Sequence, residues 1–217
     1  GVKRVVIAQR DPNPHVNGLG AAALRRARLS VTLGVARQEA EALNQAYRHW
    51  MRTKRPYAIL KAGMTLDGQI ATASGEARWI TSKPSRREGH RLRAEVDAVV
   101  VGVGTVLSDD PSLTARVGAH LTRLATNQPL RVIVDTRLRT PLSAKILRRV
   151  DGARTVIATT RAAPTARRFA LQRRAVEVLT LPLRRGRVSL PALLRELGKR
   201  GVTSLLVEGG GELNAAM

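Results

Sequence analysis

The stretch from Ala98 to Arg116, AVVVGVGTVLSDDPSLTAR, constrains the fold more than any other part of this chain. An apolar run that ends in two glycines is typical of a strand buried on both faces, and Thr105 follows where a helix or tight turn opens. Glycines there let a ligand approach the backbone, and Asp109 and Arg116 follow closely enough to return to the same rim. The stretch therefore predicts a ligand-binding edge, although a strand, a glycine turn and an Asp-Pro turn also form without any ligand.

The rest of the chain alternates predicted strands and helices. Apolar patterning predicts strands over residues 2–8, 29–35, 57–63, 131–135, 155–159, 176–181 and 204–207. It predicts helices over residues 21–28, 38–52, 82–94, 165–173, 191–200 and 212–217. Strands separated by helices in this order predict an α/β fold with a mostly parallel sheet.

The Lys54-Arg55-Pro56 sequence interrupts the helical pattern and predicts a domain boundary. We therefore expect a first domain over residues 1–55 and a second over residues 56–217. The last strand runs into three glycines and the start of a helix, with no further strand to close the sheet. This pattern predicts that the second domain is truncated at its C-terminus.

Composition excludes several classes of function. The chain has 217 residues and no cysteine, and its four histidines lack metal-ligand spacing, so no metal site is expected. No apolar run approaches the roughly 18 residues of a membrane helix, and no signal peptide is visible. We therefore expect a soluble, cytoplasmic protein with no membrane partner.

The formal charge of +22 makes nucleic-acid binding the main alternative to a small-molecule site. Only two Trp, two Tyr and one Phe occur, however, so the stacking platforms of single-strand binders are missing. Nucleic acid is therefore an unlikely partner. A nonspecific nucleic-acid binder loses affinity uniformly and steeply with salt, whereas a reductase binds its cofactor at a defined site.

Polar residues follow three glycine-terminated strands of the predicted second domain. Lys61 and Gly63 follow one strand, Thr105 and Asp109 follow another, and Glu208 precedes the glycines 209–211. Ligands of open α/β sheets bind beyond the carboxyl ends of strands, and a helix N-terminus behind glycines suits a pyrophosphate. No G-x-G-x-x-G follows the first strand of either domain, so these residues predict only a small anionic ligand.

Four blocks resemble the reductase domain of the bifunctional riboflavin-biosynthesis deaminase/reductase. They are KAGMTLDG (61–68), SGEARWITS (74–82), LRAEVDAVVVGVGTVLSDDPSLTAR (92–116) and VEGGG (207–211), and they stand in the family's order. The resemblance implies a dihydrofolate-reductase-like fold that uses NADPH. The family's reaction reduces the ribosyl group of 5-amino-6-(5-phosphoribosylamino)uracil to the ribityl product. A reductase of the same fold that acts on another heterocycle remains an alternative.

Residues 1–55 resemble the end of the family's cytidine-deaminase-like α/β domain, through VKRVVIAQRDPNP (2–14) and EALN (41–44). Deaminase chemistry needs a His-x-Glu and a Pro-Cys-x-x-Cys to build its zinc site, and this chain has neither. The resemblance therefore implies at most a reductase in this chain. It also implies a homodimer.

The resemblance assigns site residues by motif. The implied cofactor contacts are Gly63, Trp79, Thr105, Asp109, Thr136, Gly210, Gly211, Glu212, Leu213 and Asn214. The implied substrate contacts are Ala77, Arg93, Leu113, Arg116 and Glu208, and the implied catalytic residues are Lys61, Asp109 and Glu208. Ala77 departs from the family, which usually has a serine there, so this position has no side-chain hydrogen bond to offer.

Side-chain chemistry agrees with most of these assignments. Arg93 and Arg116 can clamp a phosphate bidentately, Trp79 offers a flat apolar surface, and Glu208 accepts hydrogen bonds. Each residue also has a purely structural interpretation: Arg93 as a solvated helix residue, Trp79 as a core residue and Glu208 as a helix cap.

Overall fold

The computed structural model describes residues 1–70, 81–116 and 128–217. Its strands are β1 (Arg4–Ile7), β2 (Ser30–Leu33), β3 (Tyr57–Leu60), β4 (Ala98–Gly102), β5 (Leu130–Val134), β6 (Thr155–Thr159), β7 (Glu177–Thr180), β8 (Leu183–Arg184), β9 (Arg187–Val188) and β10 (Ser204–Val207). Its α-helices are α1 (Leu19–Arg26), α2 (Arg37–Leu43), α3 (Gln45–Thr53), α4 (Lys83–Glu95), α5 (Val103–Asp109), α6 (Thr165–Gln172), α7 (Leu190–Lys199) and α8 (Gly211–Ala216). A short 3-10 helix spans Lys145–Leu147.

A six-stranded sheet in the order β3-β10-β4-β5-β6-β7 forms the centre of the fold. Every strand pair in it is parallel, which confirms the predicted mostly parallel α/β architecture. The last strand, β10, is inserted between β3 and β4, and its Val207 lies opposite both Leu60 and Val100. The chain therefore returns after β9 to the second position of the sheet, next to the edge strand β3.

The core lies on both faces of this sheet. Val99 and Val101 of β4 pack into one apolar cluster with Leu171 of α6. Val100 packs into a second cluster with Leu197 of α7. Because successive side chains of a strand point to opposite faces, a central strand covered on both sides has no polar position, which explains its unbroken apolar run.

An exposed carboxylate at the amino end of β4 fixes β10 beside β4. Asp97, just before β4, accepts hydrogen bonds from the Thr203 backbone N–H at 2.7 Å, the Thr203 hydroxyl at 2.6 Å and the Ser204 backbone N–H at 3.0 Å. These contacts satisfy backbone donors at the entry to β10 and set its register against β4.

The first part of the chain forms a separate parallel pair, β1 with β2, and three helices, α1 to α3. The predicted single helix over 38–52 is wrong: α2 ends at Leu43 and α3 begins at Gln45. Asn44 separates them, and its side-chain amide donates to the Ala40 carbonyl at 2.9 Å, so the side chain competes with continued helix.

One other predicted element differs from the structure, and one element of the structure was not predicted. The strand predicted over 57–63 ends at Leu60, because its neighbour β10 ends at Val207, whose carbonyl accepts from the Lys61 N–H. The hairpin of β8 and β9 was not predicted. Its turn contains Arg185 and Gly186, both with positive φ, and Arg-Gly is a weaker hairpin signal than Asn-Gly or Asp-Gly.

Helix α3 docks against α7 through a close backbone contact. The Trp50 indole N–H donates to the Gly198 carbonyl at 3.0 Å. A Cβ at Gly198 would lie 2.1 Å from the Lys54 carbonyl oxygen, so only glycine fits here.

We predict that Gly198→Ala lowers the free energy of unfolding by about 2 kcal/mol, because the added methyl forces two packed backbones apart. Gly20→Ala in α1 is the matched control, since a Cβ there meets nothing within 4 Å. It should leave stability unchanged or raise it slightly through helix propensity. Urea unfolding measures both, and equal effects from the two substitutions would contradict the docking.

Candidate functional site

Three adjacent strands deliver the predicted polar residues to one edge of the sheet. Lys61 follows β3, Glu208 follows β10, and Thr105 lies in α5 directly after β4. The Lys61 backbone N–H donates to the Val207 carbonyl at 3.0 Å, and the Glu208 N–H donates to the Val100 carbonyl at 2.9 Å. Lys61, Thr105 and Glu208 therefore share the carboxyl edge of the sheet, where ligands bind in open α/β folds.

Glu208 is the centre of a compact cluster of charges at this edge. Its carboxylate accepts from Arg93 Nε at 2.5 Å and from Arg93 Nη2 at 2.8 Å, and Lys61 Nζ lies 3.2 Å from Oε2. The Glu208 side chain is only 6% exposed, so this carboxylate is compensated inside the protein rather than by water.

Burial opposes ionisation of Glu208, but the cluster overrides it. Desolvation acts to raise the pKa of the Glu208 carboxyl, while the hydrogen bonds and charges of Arg93 and Lys61 lower it, and the net direction is downward. The site therefore presents an ionised carboxylate flanked by two cations at neutral pH.

The guanidinium of Arg93 is held by groups of the protein. Its Nε and Nη2 form a fork on Glu208, and Nη1 donates to the Thr114 carbonyl at 3.3 Å. The clamp of Arg93 and Arg116 on a phosphate stays a prediction.

The segment from Leu113 to Arg116 lies beside this cluster. Leu113 has a φ of 52°, and its side chain is buried in the core with 4% exposure. This side chain anchors the segment to the core. Ala115 exchanges two hydrogen bonds with the Gln128 side-chain amide, at 2.8 and 3.0 Å. Arg116, the last residue of the segment, is exposed.

His90 was not among the predicted site residues. It stands one helical turn before Arg93 on α4, and its Nδ1 lies 3.2 Å from the Arg116 backbone nitrogen. The i, i+3 spacing on a predicted helix is the signal that points to it, because residues three apart share a face.

A cavity of about 1230 Å³ lies at the same carboxyl edge of the sheet, and Gly210, two residues after Glu208, is in its wall. Lys61, Arg93 and Glu208 themselves do not line it. Seven residues predicted to contact the cofactor line it: Thr105, Asp109, Thr136, Gly210, Gly211, Glu212 and Leu213. Five arginines that were not predicted also line it: Arg137, Arg139, Arg184, Arg185 and Arg187. They escape notice in the sequence because arginine is abundant throughout this chain.

Two predicted cofactor contacts in the described part of the chain, Gly63 and Asn214, are not among the residues that line the cavity. Gly63 lies next to Thr81, whose methyl would be 3.1 Å from an added Cβ. Asn214 lies in α8, and its side-chain oxygen is buried without a hydrogen-bond partner among the described residues. Ala77 and Trp79 lie outside the described residues.

Thr136 has a structural role as well as a place in the cavity wall. Its hydroxyl accepts from the Val188 N–H at 3.2 Å, which ties the end of β5 to the β8–β9 hairpin. Its backbone carbonyl accepts from the hydroxyls of Thr159 and Thr160, each at 3.1 Å. The hairpin, with its arginines, is thereby fixed at the mouth of the cavity.

Residues 1–70, 81–116 and 128–217 contain neither a metal-type cluster nor a membrane-type helix. Within these ranges no three His, Cys, Asp or Glu side chains gather in a group able to hold a metal ion. None of the helices described there combines the length and apolar character needed to cross a membrane.

Comparison with known proteins agrees with this geometry. The sequence model of the family described as the RibD C-terminal domain matches residues 56–217. The chain belongs to that family. The matched range contains the whole six-stranded sheet, the Glu208 cluster and the cavity, and the RibD C-terminal domain accounts for the dihydrofolate-reductase-like α/β fold.

Relatives of the RibD C-terminal domain family extend the similarity to the first part of the chain. The riboflavin biosynthesis protein RibD of Actinobacillus pleuropneumoniae is 41% identical over 99% of this chain and 55% of its own length. The solved RibD structure of Acinetobacter baumannii aligns with a TM-score of 0.84 and 35% identity, over 99% of this chain and 57% of that one.

A solved deaminase and 5-amino-6-(5-phosphoribosylamino)uracil reductase of Thermotoga maritima aligns with a TM-score of 0.79 and 33% identity. It is covered over 55% of its length, and this chain over 99%. The chain thus spans little more than half the length of these RibD relatives.

We predict that Glu208→Gln lowers the free energy of unfolding at pH 7 by about 3 kcal/mol, because it leaves two cations without their buried carboxylate. The folded-state pKa of Glu208 lies below its ordinary value of 4.5, so its contribution is complete above pH 4.5 and is lost as the pH falls. The gap between the two proteins should therefore shrink in acid. Urea unfolding at pH 7 and pH 3 measures it.

Glu88→Gln provides the control, since Glu88 forms an exposed ion pair with Arg91 on the same helix. It should change the unfolding midpoint little at either pH. Two results would show that Glu208 is not held as a compensated carboxylate. One is an equal free energy of unfolding for wild type and Glu208→Gln at pH 7, and the other is a difference between them that grows in acid.

Proposed function

We propose that this chain is an oxidoreductase of riboflavin biosynthesis that reduces the ribosyl group of 5-amino-6-(5-phosphoribosylamino)uracil to the ribityl product with NADPH. The observation that carries the proposal is the joining of two features along one sheet edge. A large arginine-lined cavity and a buried cluster of Lys61, Arg93 and Glu208 both lie at the carboxyl edge of the sheet, and Glu208 leads into the glycines of the cavity wall. Family membership and the reductase activity for which the T. maritima relative is named support the same reaction.

The cavity fits a dinucleotide cofactor. Its walls include Gly102, Gly104 and Gly210, where an added Cβ would meet nothing within 4 Å, so a ligand can approach the backbone closely. A volume of about 1230 Å³ is ample for a cofactor of this size. When bound, the nicotinamide supplies a hydride.

Preference for NADPH over NADH follows from the charge of the cavity wall. Five arginines line it, and of these Arg187 pairs with Glu212 at 3.3 Å. The additional phosphate of NADPH carries the charge and acceptor oxygens that arginine binds best. Arg137 and Arg139 follow β5, and both side chains are exposed. We assign these two arginines to the additional phosphate of NADPH.

The substrate side of the site is assigned to the Glu208 cluster and the segment that ends at Arg116. A carboxylate accepts hydrogen bonds from a uracil or sugar, and the exposed guanidinium of Arg116 suits the 5-phosphate. With Arg93 engaged by Glu208, Arg93 orients the carboxylate and Arg116 carries the phosphate contact. Alignment of two ligands in a shared site is itself a large part of catalysis.

The reaction needs a hydride at the sugar C1 and a proton on the ring oxygen as the C1–O bond opens. We assign the proton to Lys61, whose ammonium has further donors besides its bond to Glu208. Glu208 holds Lys61 in position and stabilises its charge. Asp109, at the end of α5 in the cavity wall, is assigned to the cofactor side.

Three further assignments belong to the same proposal. Residues 1–55 are taken as the end of a deaminase-like domain without a zinc site, in line with the RibD relatives that align over nearly all of this chain. A homodimer remains a prediction from the family resemblance, and a cytoplasmic location remains a prediction from the composition of the sequence. Nucleic-acid binding gains no support from the site, because the arginines of the cavity wall suffice for a small anionic ligand.

The test of this function is the oxidation of NADPH, followed by its absorbance, with 5-amino-6-(5-phosphoribosylamino)uracil present and absent. Wild type should consume NADPH only with the substrate. The Arg137→Gln/Arg139→Gln variant should raise the KM for NADPH about tenfold and leave the KM for NADH nearly unchanged, because only NADPH carries the second phosphate charge.

Arg149→Gln/Arg154→Gln is the matched control, since both arginines line a different cleft of about 580 Å³, at the amino ends of β5 to β7. This control should behave as wild type. No substrate-dependent oxidation by wild type would overturn the proposed reaction. Equal effects of the Arg137 and Arg139 changes on both cofactors would overturn only the phosphate assignment.

A further inference from the structure

We infer that His90 is a positioning residue that holds the backbone of Arg116 on the substrate side of the site. The inference rests on the proposed function for its kinetic consequence, but its geometric content concerns this chain alone. His90 is not among the residues assigned above to the cofactor or the substrate.

His90 bridges α4 to the segment that carries Arg116. Its Nδ1 lies 3.2 Å from the Arg116 backbone nitrogen and 3.1 Å from the Thr114 carbonyl oxygen. Arg93, one turn further along α4, donates to the same carbonyl at 3.3 Å. One helix face therefore fixes both the segment and, through Arg93, the Glu208 carboxylate.

A single ring nitrogen cannot serve both backbone groups in the same way. With a lone pair at Nδ1 it accepts from the Arg116 N–H, and with a proton there it donates to the Thr114 carbonyl. In the second state the Arg116 N–H loses its acceptor, and His90 competes with Arg93 for one carbonyl. The first state thus favours the arrangement in which Arg93 and Arg116 are both held.

The charges around His90 favour the neutral ring, whose tautomer with the lone pair at Nδ1 is that first state. Burial lowers the pKa of the imidazole, and the positive charges of Arg93 and Arg116 lower it further. The Thr114 carbonyl and the Glu208 carboxylate act in the opposite direction, but the net direction is downward from 6.5. The neutral ring is therefore the form at pH 7, and protonation in mild acid disturbs the segment.

The experiment compares His90→Leu with His90→Gln, whose amide can both accept and donate. His90→Leu should raise the KM for the aminouracil substrate about tenfold, because the Arg116 N–H loses its partner. The kcat and the KM for NADPH should stay close to wild type, since the cavity is untouched. His90→Gln should restore most of the substrate KM. His15→Leu, an exposed histidine remote from the site, is the matched control.

Two readouts separate positioning from a general loss of structure. The wild-type KM for the substrate should rise below pH 6.5 more steeply than that of His90→Gln, which lacks the titrating ring. Hydrogen exchange at the Arg116 amide should be faster in His90→Leu than in wild type or His15→Leu, whether or not the enzyme turns over. This readout remains valid if the proposed reaction is wrong.

An unchanged substrate KM and unchanged Arg116 exchange in His90→Leu would overturn the inference. So would a parallel rise of both KM values with a lower unfolding temperature, which indicates a structural role alone. A wild-type protein without turnover, but with faster Arg116 exchange in His90→Leu, would overturn the proposed function and keep the positioning role.

Discussion

The insertion of β10 between β3 and β4 is the constraint on which the site depends. This strand comes last in the sheet's chain order, yet its end lies between the ends of two strands formed far earlier in the sequence. Backbone bonds on both sides fix Glu208 beside Lys61 and opposite α4. The same strand leads into the glycines that line the cavity, so one insertion sets both halves of the site.

The charge cluster at this edge serves position more than stability. A buried carboxylate costs several kcal/mol of solvation free energy, about what its ion pairs return, so such clusters add little net stability. Arg93 donates two hydrogen bonds to the Glu208 carboxylate and so fixes its orientation. Lys61 Nζ donates a further hydrogen bond to the same carboxylate. The result is an ionised group with defined geometry at the point where a polar substrate is assigned.

Much of the sheet could be predicted from the sequence, because buried parallel strands have unbroken apolar runs such as residues 98–101. The convergence of Lys61, Thr105 and Glu208 followed from the rule that ligands bind at the carboxyl ends of strands. Strand order could not be predicted, since no local pattern in the sequence indicates that β10 inserts between β3 and β4. The break at Asn44 was missed because a side chain, rather than a proline or glycine, ends the helix.

The partners of individual side chains were the least predictable feature. Arg93 was expected to face a phosphate, but its fork meets Glu208, a residue 115 positions away in the chain. His90 was missed because its i, i+3 spacing to Arg93 on a predicted helix gains meaning only once the segment that His90 contacts is known. The arginines of the cavity wall were hidden by a composition in which basic residues occur everywhere.

The central claim is that the cavity and the Glu208 cluster form one site in which a hydride passes from cofactor to sugar. Mass spectrometry of the product formed with NADPH deuterated at nicotinamide C4, separately on each face, tests it most directly. We expect one of the two preparations to give a ribityl product heavier by about one mass unit, with the deuterium at C1. Oxidation of NADPH without deuterium at that carbon, from either preparation, would contradict the account.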